Sequence, residues 1–136
     1  MMRIPLQYSK AEIELFLILK KLGINFRTQE IIKVEDDYFS ADFFIPYGYY
    51  PEMKAKNGIV IEVQSKFHEK KGRMRKDEYK FETLKENGYG IIDIWDYELK
   101  NKKEVVLKLL KFFEDFGIEL PLPQYLIVFL RWAMLS

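Results

Sequence analysis

The stretch that most restricts how this chain can fold runs from Gly58 to His68 and reads Gly-Ile-Val-Ile-Glu-Val-Gln-Ser-Lys-Phe-His. Its apolar residues alternate in a pattern that predicts a strand, with Glu62 and Gln64 side by side on one face. A carboxylate in such apolar surroundings is costly unless it is paired, protonated or bound to a metal ion. Glu62 is therefore a candidate site residue.

Length and composition favour a single domain, residues 1–120, followed by a short apolar segment, residues 121–136. The chain has 136 residues, of which 49% are hydrophobic, and this is enough for one core. It has no cysteine, so disulfides and thiolate metal sites are excluded. The first residues lack the pattern of a secretory signal, and we expect a cytoplasmic protein. Because the net charge is only +1, nucleic-acid binding would depend on local basic patches.

Helix and strand signals predict a mixed α/β fold. Ser9 and Glu12 form a capping-box pattern ahead of an apolar helix that ends before Gly23. The later elements follow from apolar periodicity and from glycine, proline and acidic turn signals. They are strands at 26–34 and 38–45, the strand that starts at Gly58, a helix at 75–87, a strand at 89–95 and a helix at 101–116.

The second predicted strand carries a carboxylate at its centre, Asp42. Aspartate is unfavourable in the middle of a strand, so Asp42 is a second candidate site residue. Uniform alternation places it opposite an apolar face. That face would be formed by Phe39, Ala41, Phe43 and Ile45. Asp42 and Glu62, on one face of adjacent strands, would repel each other when ionised, and a divalent cation removes that penalty.

A strongly basic segment, residues 66–76, follows the third strand. It forms either a solvated face or a set of phosphate contacts, which give affinity with a steep salt dependence and little sequence information. Lys80, on the helix beyond it, either joins these contacts or forms an internal pair that supports the site. The candidate nucleic-acid-binding residues are Lys66, Lys70, Lys71, Arg73, Arg75, Lys76 and Lys80.

Two further candidates each have two interpretations. His68 is the only histidine of the chain, and its neutral-range pKa suits proton transfer, although a solvated loop histidine is the alternative. Glu12 is either the capping-box partner of Ser9 or a third acid of the site. The position of each residue in the fold decides between these interpretations.

The segment 125–135 is apolar nearly all round. It is too short for a membrane span and contains Arg131, so membrane attachment is the less favoured interpretation. We expect a C-terminal helix that packs on the core or on a partner subunit, and therefore a homodimer.

With Asp42 on the second strand and Glu62-x-Gln64 on the third, the order of elements resembles the PD-(D/E)xK nucleases of the restriction-endonuclease-like fold. More narrowly, the chain resembles the small endonuclease domains related to very-short-patch-repair nucleases. The resemblance covers roughly residues 9–113. The matching residues are Ala11-Glu12, Asp42-Phe43-Phe44-Ile45-Pro46, Ile61-Glu62-Val63-Gln64, His68, Asp77, Lys80, Leu84, Asn87-Gly88-Tyr89, Trp95, Glu98-Leu99 and Asn101.

The resemblance implies an αβββαβ core, with a mixed central sheet flanked by helices, and an endonuclease that depends on Mg²⁺ or Mn²⁺. DNA would be the substrate, with RNA not excluded. Asp42 and Glu62 would hold the metal through oxygen atoms, which magnesium prefers. Gln64 would orient the attacking water, and His68 and Glu12 would assist.

Two residues depart from the family pattern. Gln64 occupies a position where these nucleases often carry lysine or an acid, and Ser65 replaces a frequent glycine. A neutral amide cannot take up a proton or supply positive charge. The alternative function is therefore a catalytically silent DNA-binding or assembly module that keeps the nuclease fold.

Overall fold

The structure, a computed structural model, describes residues 8–65 and 71–120, with side chains from residue 78 onward in the second range. The elements are α1 (Lys10–Lys21), β1 (Arg27–Val34), β2 (Asp37–Ile45), β3 (Gly58–Gln64), α2 (Lys71–Glu86), β4 (Tyr89–Trp95), a 3-10 helix (Asp96–Lys100) and α3 (Lys102–Asp115). The predicted αβββαβ order is confirmed, and α2 begins one turn earlier than predicted. The predictions for residues 121–136 lie outside the described residues.

Helix α1 begins where its sequence signals predict. The Ser9 hydroxyl accepts a hydrogen bond from the Glu12 amide at 3.2 Å, which satisfies one of the free donors of the first turn. Gly23, just beyond the helix, has a φ of +76°, which glycine adopts without strain. The buried face of α1 comprises Leu15, Phe16, Ile18 and Leu19. Within the described ranges, no helix is both long and apolar enough to cross a membrane.

The four strands form one mixed sheet in the order β1-β2-β3-β4. The first three strands are antiparallel, whereas β3 and β4 are parallel and are therefore joined by a helical crossover, α2. Strand β2 pairs with β3 only over residues 43–45, opposite residues 59–61. The outer half of the β1–β2 hairpin therefore extends past the point where β2 and β3 separate.

The two faces of the sheet bury different cores. The face that carries α1 and α3, called the α1/α3 face, holds a large apolar cluster that includes Phe43, Ile59, Ile61, Ile94, Leu109 and Phe113. The opposite face, called the α2 face, holds a cluster whose described members are fewer: Ile32, Val34, Ala41, Val60 and Leu84. Because alternate residues of β3 point to opposite faces, Ile61 belongs to the first core and Glu62 lies on the α2 face.

The prediction of uniform alternation along β2 is wrong. Phe43 and Ile45 lie in the α1/α3 core, whereas Ala41 lies in the α2 core, so the alternation reverses at Asp42. The residue that faces Asp42 across the hairpin is Gln29, which has a left-handed φ of +51° and is left out of the paired register. This backbone conformation is uncommon for a residue other than glycine, and the amino-acid pattern does not reveal it.

Candidate active site

Glu62 is the one buried charged residue within the described part of the chain, with 6% of its surface exposed. Lys80 of α2 reaches it, and its ammonium donates hydrogen bonds to Glu62 Oε1 and, at 2.6 Å, to the Ser40 carbonyl oxygen of β2. Lys80 is thus in internal contact with Glu62. Lys80 links β2 to β3 beyond the residues through which these two strands pair.

Asp42 lies where β2 and β3 separate. Its Oδ2 accepts a hydrogen bond from the Val63 amide at 2.8 Å, so a side chain replaces a backbone acceptor at this point of the sheet. On the other side, the Tyr8 hydroxyl donates to the Asp42 carbonyl oxygen at 3.0 Å. These contacts hold Asp42 beside β3. Because Glu62 precedes Val63 in that strand, the two acids lie next to each other.

The proximity of the two carboxylates changes the proton affinity of Glu62. Burial is the largest effect and the negative charge of Asp42 the next, and together they raise the pKa of Glu62 to about 9, although the Lys80 ammonium acts in the opposite direction. At neutral pH, the Glu62 carboxyl therefore keeps a proton unless further positive charge enters the site. Sequence reasoning paired these two acids, and the structure brings them together.

Glu12 caps helix α1 and is also affected by the charge of Asp42. The Ser9 hydroxyl donates to Glu12 Oε1 at 3.0 Å, in addition to accepting from the Glu12 amide. Burial raises the pKa of Glu12, the Ser9 hydrogen bond opposes that rise, and the charge of Asp42 adds to it. Glu12 is therefore a capping residue that lies within electrostatic range of Asp42, and its role as a third acid of the site stays a prediction.

Gln64 is turned toward the neighbouring strand. Its Nε2 donates to Oδ1 of Asp93 at 3.2 Å. In the parallel register of β3 and β4, Asp93 lies directly opposite Glu62, so these residues share the α2 face. Sequence reasoning missed Asp93. The signal was present, since Asp93 interrupts the apolar strand Tyr-Gly-Ile-Ile-Asp-Ile-Trp just as Glu62 interrupts β3.

Most of the predicted phosphate contacts fall outside what the structure describes. Residues Lys66, His68 and Lys70 lie outside the described residues. The backbone of α2 carries four further candidates whose side chains are likewise outside the description: Lys71, Arg73, Arg75 and Lys76. Of the basic candidates, Lys80 is the one whose side chain is placed.

The donor set of Asp42 and Glu62 fits a hard divalent cation. Both residues offer carboxylate oxygens, which magnesium prefers. In the contacts above, one protein donor engages each carboxylate, and a carboxylate can accept several hydrogen bonds or metal contacts. Among the side chains that the structure describes, in residues 8–65 and 78–120, no group of three or more aspartate, glutamate or histidine residues could hold a metal ion. Among the described side chains, Asp42 and Glu62 are the two carboxylates that could hold a cation here, and magnesium is usually bound through one or two carboxylates.

Comparison with solved structures identifies a nuclease-type fold. The chain is similar to the catalytic domain of the homing endonuclease I-Bth0305I, with a TM-score of 0.60 and 21% sequence identity over 80% of this chain and 98% of that domain. At this level of identity, the similarity establishes the shared fold. No protein-family model matches the chain, and no curated protein matches it. The predicted α/β nuclease-like fold class is confirmed, and the narrower PD-(D/E)xK membership stays a prediction.

Proposed function

We propose that the protein is a metal-dependent endonuclease that hydrolyses DNA phosphodiester bonds at Asp42 and Glu62. The observation that carries the proposal is the buried Glu62, whose pKa is raised by burial and by Asp42, on a nuclease-type fold. Two acids held together in this way are ionised together only when a cation offsets their repulsion. Perturbed carboxyl groups of this kind are typical of catalytic sites.

Each residue of the proposed site would have a separate role. Asp42 and Glu62 would hold Mg²⁺ or Mn²⁺, which supplies polarisation of the phosphate and acidification of a water molecule when bound. Gln64 would orient the attacking water by accepting a hydrogen bond from it. His68 would transfer a proton, and Glu12 would assist through the metal or a water molecule.

DNA is the proposed substrate because the structural neighbour is a homing endonuclease catalytic domain and because a basic segment follows β3. Phosphate contacts from that segment and from the start of α2 would supply affinity that falls steeply with salt. Competition between DNA and RNA oligonucleotides of matched sequence distinguishes the two nucleic acids. Stronger competition by RNA would reassign the substrate.

A catalytically silent module is the second candidate function. It is favoured by the existing partners of the site residues, since Glu62 contacts Lys80 and Gln64 donates to Asp93. In that case the acids stabilise the fold, and the protein binds DNA or a partner without cleaving. The two functions differ in whether Asp42 and Glu62 are required for turnover.

The test is cleavage of supercoiled plasmid by purified protein in Mg²⁺ or Mn²⁺. We expect Asp42→Asn and Glu62→Gln to lower the rate by about 100-fold or more, the size of effect expected when a catalytic group is lost. Asp36→Asn, in the exposed turn of the β1–β2 hairpin, is the matched control and should cleave like the wild type. Circular dichroism verifies that each variant is folded. Cleavage that is unaffected by both site substitutions would exclude the proposed centre.

A further inference from the structure

The contact between Gln64 and Asp93 has a chemical consequence that rests on the proposed function. Gln64 Nε2 donates to Asp93 Oδ1 at 3.2 Å, and both side chains are on the face of the sheet that carries Glu62. An ionised carboxylate can only accept hydrogen bonds, whereas an amide has one end that donates and one that accepts. Asp93 therefore selects one orientation of the Gln64 amide, in which Nε2 points toward β4 and Oε1 points away from β4.

The backbone of Asp93 is held from outside the sheet. The Lys108 ammonium of α3 donates to the Asp93 carbonyl oxygen at 2.7 Å and to both carboxylate oxygens of Glu98 at 3.1 Å. Glu98 in turn accepts from the Trp95 amide at 3.0 Å. These contacts tie β4 to α3 and to the 3-10 helix. Asp93 thus presents its carboxylate from a fixed position.

We propose that Asp93 is a positioning residue that holds Gln64 with its Oε1 directed to the water of the active site. An amide that is free to take either orientation would also present its donor end, and that end cannot accept a hydrogen bond from water. The constraint by Asp93 removes the unproductive orientation before substrate binds. Pre-organisation of this kind acts on the reaction step rather than on substrate affinity.

The same contact accounts for the residue type at position 64. A glutamate there would face the negative charge of Asp93, and a lysine would be drawn into an ion pair with it and away from the substrate. A glutamine avoids both problems while it keeps an acceptor for water. The departure of Gln64 from the lysine or acid that the resemblance leads one to expect is therefore matched by Asp93 on the next strand.

A double-mutant cycle in plasmid cleavage tests the positioning role. We expect Gln64→Ala and Asp93→Ala each to lower kcat by about 10-fold or more with little change in KM, and the double variant to lose no more than either single one. Asp93→Asn retains an acceptor oxygen but can also donate, so it no longer selects one orientation of Gln64 and should recover only part of kcat. Asp36→Asn again serves as the control. Losses that multiply in the double variant, or full activity in Asp93→Ala, would overturn the proposal.

Side-chain nuclear magnetic resonance separates failure of this inference from failure of the proposed function. The chain has four glutamines, so the Gln64 amide signal is identified by its disappearance in Gln64→Ala. We expect the Gln64 Nε2 signal to move in Asp93→Ala while that of Gln29 stays in place. A wild type that is as inactive as Asp42→Asn would reject the proposed function and the catalytic role of Asp93 together. An unmoved Gln64 signal would reject the contact itself, whatever the activity.

Discussion

The two faces of the sheet show how one strand serves both stability and chemistry. On the α1/α3 face, Ile61 is fully buried and belongs to one large apolar cluster. On the α2 face, the apolar cluster is small, and Val60 is followed along β3 by the buried Glu62. Among the described side chains, the first face buries more apolar surface and so contributes more to the folding free energy, whereas the second face carries the buried acid.

The largest expected difference concerns two fully buried leucines of the same exposure. Leu109 lies in the large α1/α3 cluster and Leu84 in the small α2 cluster. We expect Leu109→Ala to lower the free energy of unfolding by about 3 to 5 kcal/mol and Leu84→Ala by about 2 to 3 kcal/mol, because the cost rises with the cavity that remains. Urea denaturation followed by circular dichroism measures both. A larger loss for Leu84→Ala would reverse the comparison.

The second-largest expected effect is the pH dependence that Glu62 gives to the stability of the α2 face. Since the pKa of Glu62 is about 9 in the folded state and ordinary glutamates titrate near 4, the folded state binds this proton more tightly than the unfolded state. The contribution of Glu62 to stability is therefore complete below the unfolded pKa and is lost as pH rises toward 9.

We expect Glu62→Gln to remove this loss. Between pH 5 and pH 9, its free energy of unfolding should rise relative to that of the wild type by a few kcal/mol. Glu86→Gln, at the exposed end of α2, is the control and should follow the wild type. A pH profile of Glu62→Gln that parallels the wild type throughout would show that Glu62 has an ordinary pKa.

Lys80 tests whether polar contacts stabilise the α2 face. Lys80→Met keeps the aliphatic stem and removes the hydrogen bonds to Glu62 and to the Ser40 carbonyl oxygen. We expect a loss of about 1 to 3 kcal/mol at pH 7, because the buried Glu62 loses its hydrogen-bond donor. Thermal denaturation measures the change, and Lys80→Arg should restore part of it. An unchanged midpoint in Lys80→Met would mean that the contact adds nothing.

The smallest effect is expected at the edge of β4. Lys108 contacts Glu98 and the Asp93 carbonyl oxygen but is 39% exposed, so solvent weakens its interactions. Lys108→Met should lower the free energy of unfolding by about 1 kcal/mol or less. Lys10→Met, which removes an exposed pair with Glu14 at 4.0 Å, should be close to neutral. If Lys108→Met costs more than Lys80→Met, the edge contact is the stronger of the two.

Local signals made much of the fold predictable. The Ser9 cap, the glycine after α1 and the turn between β1 and β2 depend on residues close together in the chain, and each element appears where it was predicted. The same holds for β4 and α3. The class of fold followed from the order of these elements, because a helical crossover between β3 and β4 requires parallel pairing.

Of the candidate site, the sequence predicted the residues that interrupt a local pattern but not the contacts that depend on long-range geometry. Glu62 and Asp42 were found because each interrupts an apolar strand. The reversal of alternation at Asp42 lies opposite the left-handed backbone of Gln29 across the hairpin, and the Gln64–Asp93 contact follows from the parallel register of β3 and β4. Long-range geometry of this kind leaves no local pattern. The predictions for His68, the homodimer and the cytoplasmic location stay predictions.

The most direct test of the central claim is a calorimetric titration of the folded protein with Mn²⁺ in the presence of DNA. The proposed nuclease predicts a bound ion in the wild type, and loss of that binding in Asp42→Asn and in Glu62→Gln but not in Asp36→Asn. Binding that survives both site substitutions would place the metal elsewhere. No binding by the wild type would contradict the account and favour a silent module in which Lys80, rather than a metal ion, is the partner of Glu62.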